Sequence, residues 1–192
     1  LMLYPTHTFP TAAAPVLVGV GLALHDGVFA LWPALAAFVC SWLVHVGGVF
    51  IDVYQLLVRH PAIREHPELN DAVAEGSLRL PVLWWTSVAW FVAALVPGAY
   101  LLALVGMPAI PLGLVGIGTS AWYAAGRWPM AAIGLAEPVF FAMFGVVAVA
   151  GTYYVQAMSQ YASTPLTPGA LLVGLPVGAL VTNVLIIDDI RD

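Results

Sequence analysis

Long apolar runs, separated by short stretches rich in glycine, proline or charge, occupy most of this chain. The runs lack the period-two alternation of a half-buried strand, so they predict helices. A transmembrane barrel would show short alternating segments, and none is evident. Six helical spans can be drawn, over 11–24, 28–50, 80–104, 111–125, 130–155 and 168–187. Pro97 and Gly98 mark an expected kink or break in the third. The first and fourth fall short of the ~20 residues that a straight span needs. Between the second and third spans lies a polar segment, 53–79, expected either as a cap or as a solvated loop, with 67–76 as a short interfacial amphipathic helix.

Composition turns these helices into membrane spans. Mean hydropathy is +0.98. Hydrophobic residues make up 62% of the 192 residues and charged residues 8%, which is too apolar for a soluble domain of this length. The expected fold class is all-α, a polytopic transmembrane helical bundle forming a single domain over 1–192 in an inner cell membrane. The basic residues are Arg59, Arg64, Arg79, Arg127 and Arg191, and there is no lysine. With six spans and a cytoplasmic N-terminus, all five fall on the cytoplasmic side, as the positive-inside pattern requires. One span more or fewer would scatter them. The net charge of −5 forms no basic face, so nucleic acid is not an expected partner. Cys40 is the single cysteine and reads as a small packing residue.

In so apolar a chain, charge stands out. Asp188 and Asp192 are four residues apart and share one helical face. Two carboxylates at a membrane edge point to a divalent cation and an anionic group such as diphosphate, or else to a solvated helix end. Asp52 ends the second span, and His45 lies seven residues earlier on nearly the same face. Each reads as a cavity-facing metal ligand or proton acceptor, or as an interfacial or packed group. Arg127, in the stretch YAAGRWP, has the fork geometry for phosphate oxygens, or serves as an orientation anchor among Trp122, Tyr123 and Trp128. Glu137 precedes a long apolar stretch and needs a partner, either a substrate hydroxyl, Arg127 or a buried structural bond. Phe140, Phe141 and Phe144 follow at helical spacing, more in keeping with packing than with a ligand wall.

The order of these motifs resembles the UbiA-type intramembrane prenyltransferases, and most closely the branch that prenylates 1,4-dihydroxy-2-naphthoate on the way to menaquinone. The carrying segments are HTFPTAAAPVLVGVGLAL (7–24), YAAGRWPMAAIGLAEPVFFAMFG (123–145), GTYYVQ (151–156) and TNVLIIDDIRD (182–192). The resemblance covers essentially the whole chain. It implies a nine-helix fold, of which six spans are present. The chain starts with Leu1 and stops at Asp192 inside a motif, so a fragment is the expectation.

The resemblance also implies a mechanism, in which magnesium bridges aspartates to the diphosphate of a polyprenyl donor and an aromatic ring is alkylated. On that basis Asp52, Asp188 and Asp192 are the catalytic, metal-binding carboxylates, with Asp189 a further metal ligand. Arg127 and Arg191 contact diphosphate. Glu137 and Tyr123 place the acceptor. The implied cofactor is Mg²⁺, and the implied partners are a polyprenyl diphosphate, an aromatic acceptor and the lipid bilayer. The departures are specific. Gly48, Val49 and Leu56 stand where the family has Asn and two Asp, and Asp188 and Asp189 stand where it has two Asn. Two other readings remain open: a different acceptor such as 4-hydroxybenzoate, homogentisate or a haem precursor, and a non-catalytic transport or structural protein.

Overall fold

The computed structural model describes residues 9–59, 67–123, 128, 130–160 and 166–191. Its helices are α1 (Phe9–His25), α2 (Leu31–Arg59), α3 (Pro67–Ala74), α4 (Leu80–Val105), α5 (Ala109–Trp122), α6 (Ala136–Phe140), α7 (Ala148–Ser159) and α8 (Pro168–Arg191), with no strand among the described residues. A π-helical run, Phe141–Val147, joins α6 to α7, and the three form one rod, Ala136–Ser159. Four segments are long and apolar enough to cross a membrane: Leu31–Val58, Leu80–Val105, Ala136–Ser159 and Pro168–Ile187. The shorter apolar helices are α1 and α5, the two spans expected to fall short. This is a helical membrane bundle. Its outward faces carry large apolar side chains such as Val96, Trp85 and Leu180, as a lipid-facing surface does.

The boundaries differ from expectation in informative places. α2 runs on to Arg59, so Asp52 lies inside the helix and the polar connection begins later than residue 53. The reason is α3, which packs Leu69 against Leu57 and Leu83 and so gives the last turns of α2 something to bury against. α3 matches the amphipathic helix expected over 67–76. α4 passes through Pro97 as one assigned helix. The expected fifth span begins instead with a short 3₁₀ turn, Met130–Ile133. Gly134, at φ 70°, separates that turn from α6, in a conformation costly for any residue with a Cβ.

Packing follows small residues. α8 presents Gly174 and Gly178, four apart, to Gly145 in the π run. A Cβ on Gly145 would meet Gly178 Cα at 2.6 Å, and one on Gly178 would meet Phe141 O at 2.7 Å. Backbone therefore lies on backbone, the packing that small-xxx-small spacing permits in membranes. Gly19 of α1 makes a similar approach to α7, where a Cβ would meet Val149 O at 2.7 Å. α2 and α4 are antiparallel and tied by hydrogen bonds. Ser87 Oγ donates to Gly47 O at 2.8 Å, and the Cys40 thiol reaches Ala94 O at 3.7 Å.

The bundle has two distinct ends. At one, Tyr153 OH donates to Asp26 Oδ2 at 2.7 Å, and Ala30 N–H donates to Gln156 Oε1 at 2.7 Å. These bonds clip the turn between α1 and α2 to the end of α7, and Ala170 of α8 joins the same cluster of Ala23, Ala150, Tyr153 and Ala157. The His25 ring nitrogen lies 2.8 Å from the other Asp26 oxygen. The opposite end carries Arg59, Arg79 and Arg191, the arginines among the described residues.

Two outcomes test this packing. Gly178→Val should lower stability by about 1–3 kcal/mol through overpacking, read as a lower melting temperature in detergent. The hydrogen bonds from His25 and then Tyr153 hold Asp26 below its ordinary pKa of 3.8. A depressed carboxylate stabilises above its unfolded pKa and loses that contribution as pH falls through the folded value. The difference in melting temperature between wild type and Asp26→Asn should therefore persist from neutral pH down to the ordinary aspartate range and vanish only below it.

Candidate site at the arginine end

Asp52, Tyr123 and Glu137 come from three elements that converge toward the arginine end. α2 starts at the clipped end, where Ala30 is bonded to Gln156, and α8 starts there too, through Ala170. Asp52 and Asp188 each lie about 20 residues beyond the start of their helix, roughly 30 Å along the axis. The two carboxylate-bearing turns therefore sit at the same end of the bundle.

α5 brings Tyr123 to the level of Asp52. Ser120 Oγ donates to Val44 O at 3.4 Å. The same hydroxyl fills the space beside Gly48, so that a Cβ there would collide with it. Asp52 is one turn beyond Gly48, and Tyr123 caps α5 less than one turn beyond Ser120. Trp122 Nε1 donates to Trp128 O at 2.9 Å, tying the end of α5 to the segment that follows. Glu137 occupies the first turn of α6 and is half-buried, as is Asp52. A carboxylate in a first helical turn is stabilised by the N-terminal end of the helix dipole.

Beneath the carboxylates lie rings. His45 meets Phe144 edge to face, with centroids 6.2 Å apart and planes at 88°. Phe144 stacks obliquely on Phe140 at 4.3 Å, and Trp42 lies 6.0 Å from His45. Of the two expectations for His45, the packed one describes this contact. Phe140 and Phe144, one and two turns after Glu137, pack on each other as their helical spacing leads one to expect.

The remaining expected residues are partly or wholly outside the described set. Asp188, Asp189 and Arg191 continue α8 to its end, and their side chains are not among those described. Arg127 and Asp192 lie outside the described residues altogether. Among the described residues, no three His, Cys, Asp or Glu gather closely enough to hold a metal. Asp52 offers hard carboxylate oxygen at the end of the bundle where α8 carries Asp188 and Asp189.

A polytopic helical membrane protein with carboxylates at its arginine end is the class that fold and site define. Two curated relatives carry the matter further. The chain is 29% identical over 188 residues to a protein of Mycobacterium leprae and 30% identical over 189 residues to one of Mycobacterium tuberculosis. Both relatives are described as 1,4-dihydroxy-2-naphthoate octaprenyltransferase, and each match covers 96% of this chain. These likenesses support the UbiA-type prenyltransferase family for the chain. It spans about three-fifths of their length, 60% and 61% respectively. No family model and no solved structure matches it.

Gly48 leaves the space that Ser120 Oγ fills, so a side chain at this position would have to displace that hydroxyl. Gly48→Ala should cost about 1 kcal/mol by displacing the Ser120 hydroxyl from the Val44 carbonyl. Thermal melts of the single variants and of Gly48→Ala with Ser120→Gly should show a coupled pair, the double variant losing less than the two singles together.

Proposed function

We propose that the protein transfers a polyprenyl group from its diphosphate to an aromatic acceptor, foremost 1,4-dihydroxy-2-naphthoate, in menaquinone synthesis. The carrying observation is the likeness to two naphthoate octaprenyltransferases along 96% of the chain. The arginine end faces the cytoplasm of an inner cell membrane, by the positive-inside rule.

Each residue has a role in this reading. Asp52, Asp188, Asp189 and Asp192 would hold Mg²⁺, which when bound neutralises the charge of the diphosphate leaving group. Arg127 and Arg191 fork onto phosphate oxygens and fix the leaving group at the mouth. Glu137 and Tyr123 accept and donate hydrogen bonds to acceptor hydroxyls. α3, packed on the arginine-end turns of α2 and α4, would cap the mouth from the cytoplasmic side. The apolar helices hold the prenyl tail, whose burial gains roughly 0.8 kcal/mol per CH₂, and they keep water from the reacting carbon.

A second reading is a protein that binds prenyl diphosphate without turning it over. The motif departures at Gly48, Val49 and Leu56 favour it, since they leave Asp52 as the carboxylate of that stretch. Transfer of a labelled octaprenyl group to 1,4-dihydroxy-2-naphthoate, assayed in membranes with and without Mg²⁺, separates the two. Asp52→Asn, Asp188→Ala and Asp192→Ala should each slow transfer by ~100-fold or more, in line with the loss of a charge-stabilising group. Unchanged rates for Asp188→Ala and Asp192→Ala would remove the metal–diphosphate assignment. Binding of the donor with no transfer would establish the second reading.

A further inference from the structure

α4 buries one face and leaves another bare. Leu83 packs against Leu57 and Leu69, Ser87 bonds to Gly47 of α2, and Ala94 is buried where the Cys40 thiol reaches its carbonyl. These three residues lie close together round the helix. Val82, Thr86 and Ala89 form a separate stripe, roughly 110° away around the axis. Along that stripe an open groove of about 710 Å³ runs from Arg79 to Trp90, with Val82, Trp85 and Thr86 among its walls. Trp85 is 66% exposed and Val82 53%.

Length, polarity and charge in this groove point to one kind of occupant. The eleven residues from Arg79 to Trp90 rise roughly 16 Å along the helix. That is the depth of one leaflet, half of a hydrocarbon core of ~30 Å. The single charged group stands at the helix end, and everything beyond it toward the middle of the span is indole, aliphatic or a lone hydroxyl. Arg79 is exposed and forms no ion pair with the described residues, and no acid lines the groove. A topological anchor needs the guanidinium but not the channel beneath it.

We propose that this groove binds one anionic phospholipid of the surrounding leaflet. The phosphodiester oxygens sit on the Arg79 guanidinium, whose donors form a fork of matching shape. An acyl chain lies along Val82, Thr86 and Ala89, flanked by Trp85 and Trp90. Trp85 lies toward the headgroup level, where an indole keeps one edge wet and its body in hydrocarbon. A chain of net charge −5 repels anionic lipids at large, so this guanidinium decides where one is retained. A second copy of the chain suits the groove less well. Two copies inserted in the same direction and joined through this stripe would bring their Arg79 side chains together at one depth, with no acid in the lining to offset them. The site is independent of prenyl transfer and uses none of its groups.

The test places the full-length protein in phosphatidylcholine vesicles that contain a small fraction of phosphatidylglycerol with dibrominated acyl chains. Bromine quenches indoles that it touches. Tryptophan quenching should exceed that from the same fraction of dibrominated phosphatidylcholine. Arg79→Ala should reduce this preference about tenfold, the worth of a charge-assisted hydrogen bond. Arg59→Ala removes a cation of the same end outside the groove and should leave most of the preference in place. Trp85→Phe removes a reporting indole and should take away a large share of the excess quenching. Equal quenching by the two lipids overturns the site, as does excess quenching that survives Trp85→Phe in full. Equal losses from Arg79→Ala and Arg59→Ala would describe diffuse attraction to the arginine end and overturn it too. A dimer that Trp85→Ala breaks would assign the groove to a second copy, against the proposal.

Discussion

Close contact between α8 and the π run is the constraint on which the rest of the site depends. Lipid gives helices no hydrophobic reason to associate, because a leucine is as well solvated by acyl chains as by another leucine. What holds two apolar helices together is close packing. Gly145, Gly174 and Gly178 let two backbones touch where any side chain would intervene. That contact fixes the rod of α6 and α7 against α8, and with it the position of Phe144 and the level of Glu137. The same logic recurs at Gly19, where α1 reaches α7, and at Gly47 and Gly48, where α2 receives Phe91 and Ser120.

Polar bonds within the apolar interior do a different job. Ser87, Ser41 and Ser120 each donate to a backbone carbonyl of a neighbouring helix, namely Gly47, Ala12 and Val44. Such bonds set register between helices that could otherwise slide. The level of Asp52 relative to Tyr123 is therefore a consequence of Ser120 and Val44 as much as of chain length. The acidic mouth is assembled by hydroxyls that themselves carry no charge.

How much of this could be read from the chain alone divides along physical lines. Apolar run length identified the six helices and their order, since a membrane demands long uninterrupted segments. Arginine placement separated the two ends for the same reason. The end of α2 was misjudged because Asp52 looked like the first contact with water. Nothing local showed that Leu57 would be covered by Leu69 from a later segment. Packing faces were equally hard to see, because a helix apolar all round shows no periodicity that separates neighbour from lipid. Gly174 and Gly178 carried that information as a spacing of small residues, and it went unread beside the aspartates further on. At the site, the carboxylates stood out by their cost in an apolar chain, while the rings below them did not. The level of a phenylalanine among phenylalanines is legible only once the packing of its helix is known.

The two bonds that fasten the α1–α2 turn to the end of α7 have a mechanical consequence. They hold α2 and the α6–α7 rod together at that end, so any separation of these two arms would be greatest at their far tips. With arms of roughly 30 Å, a rotation of about two degrees at the clipped end opens the tips by about 1 Å. A guest entering between the arms would thus be met by a gap that widens toward the arginine end and narrows toward the clipped one.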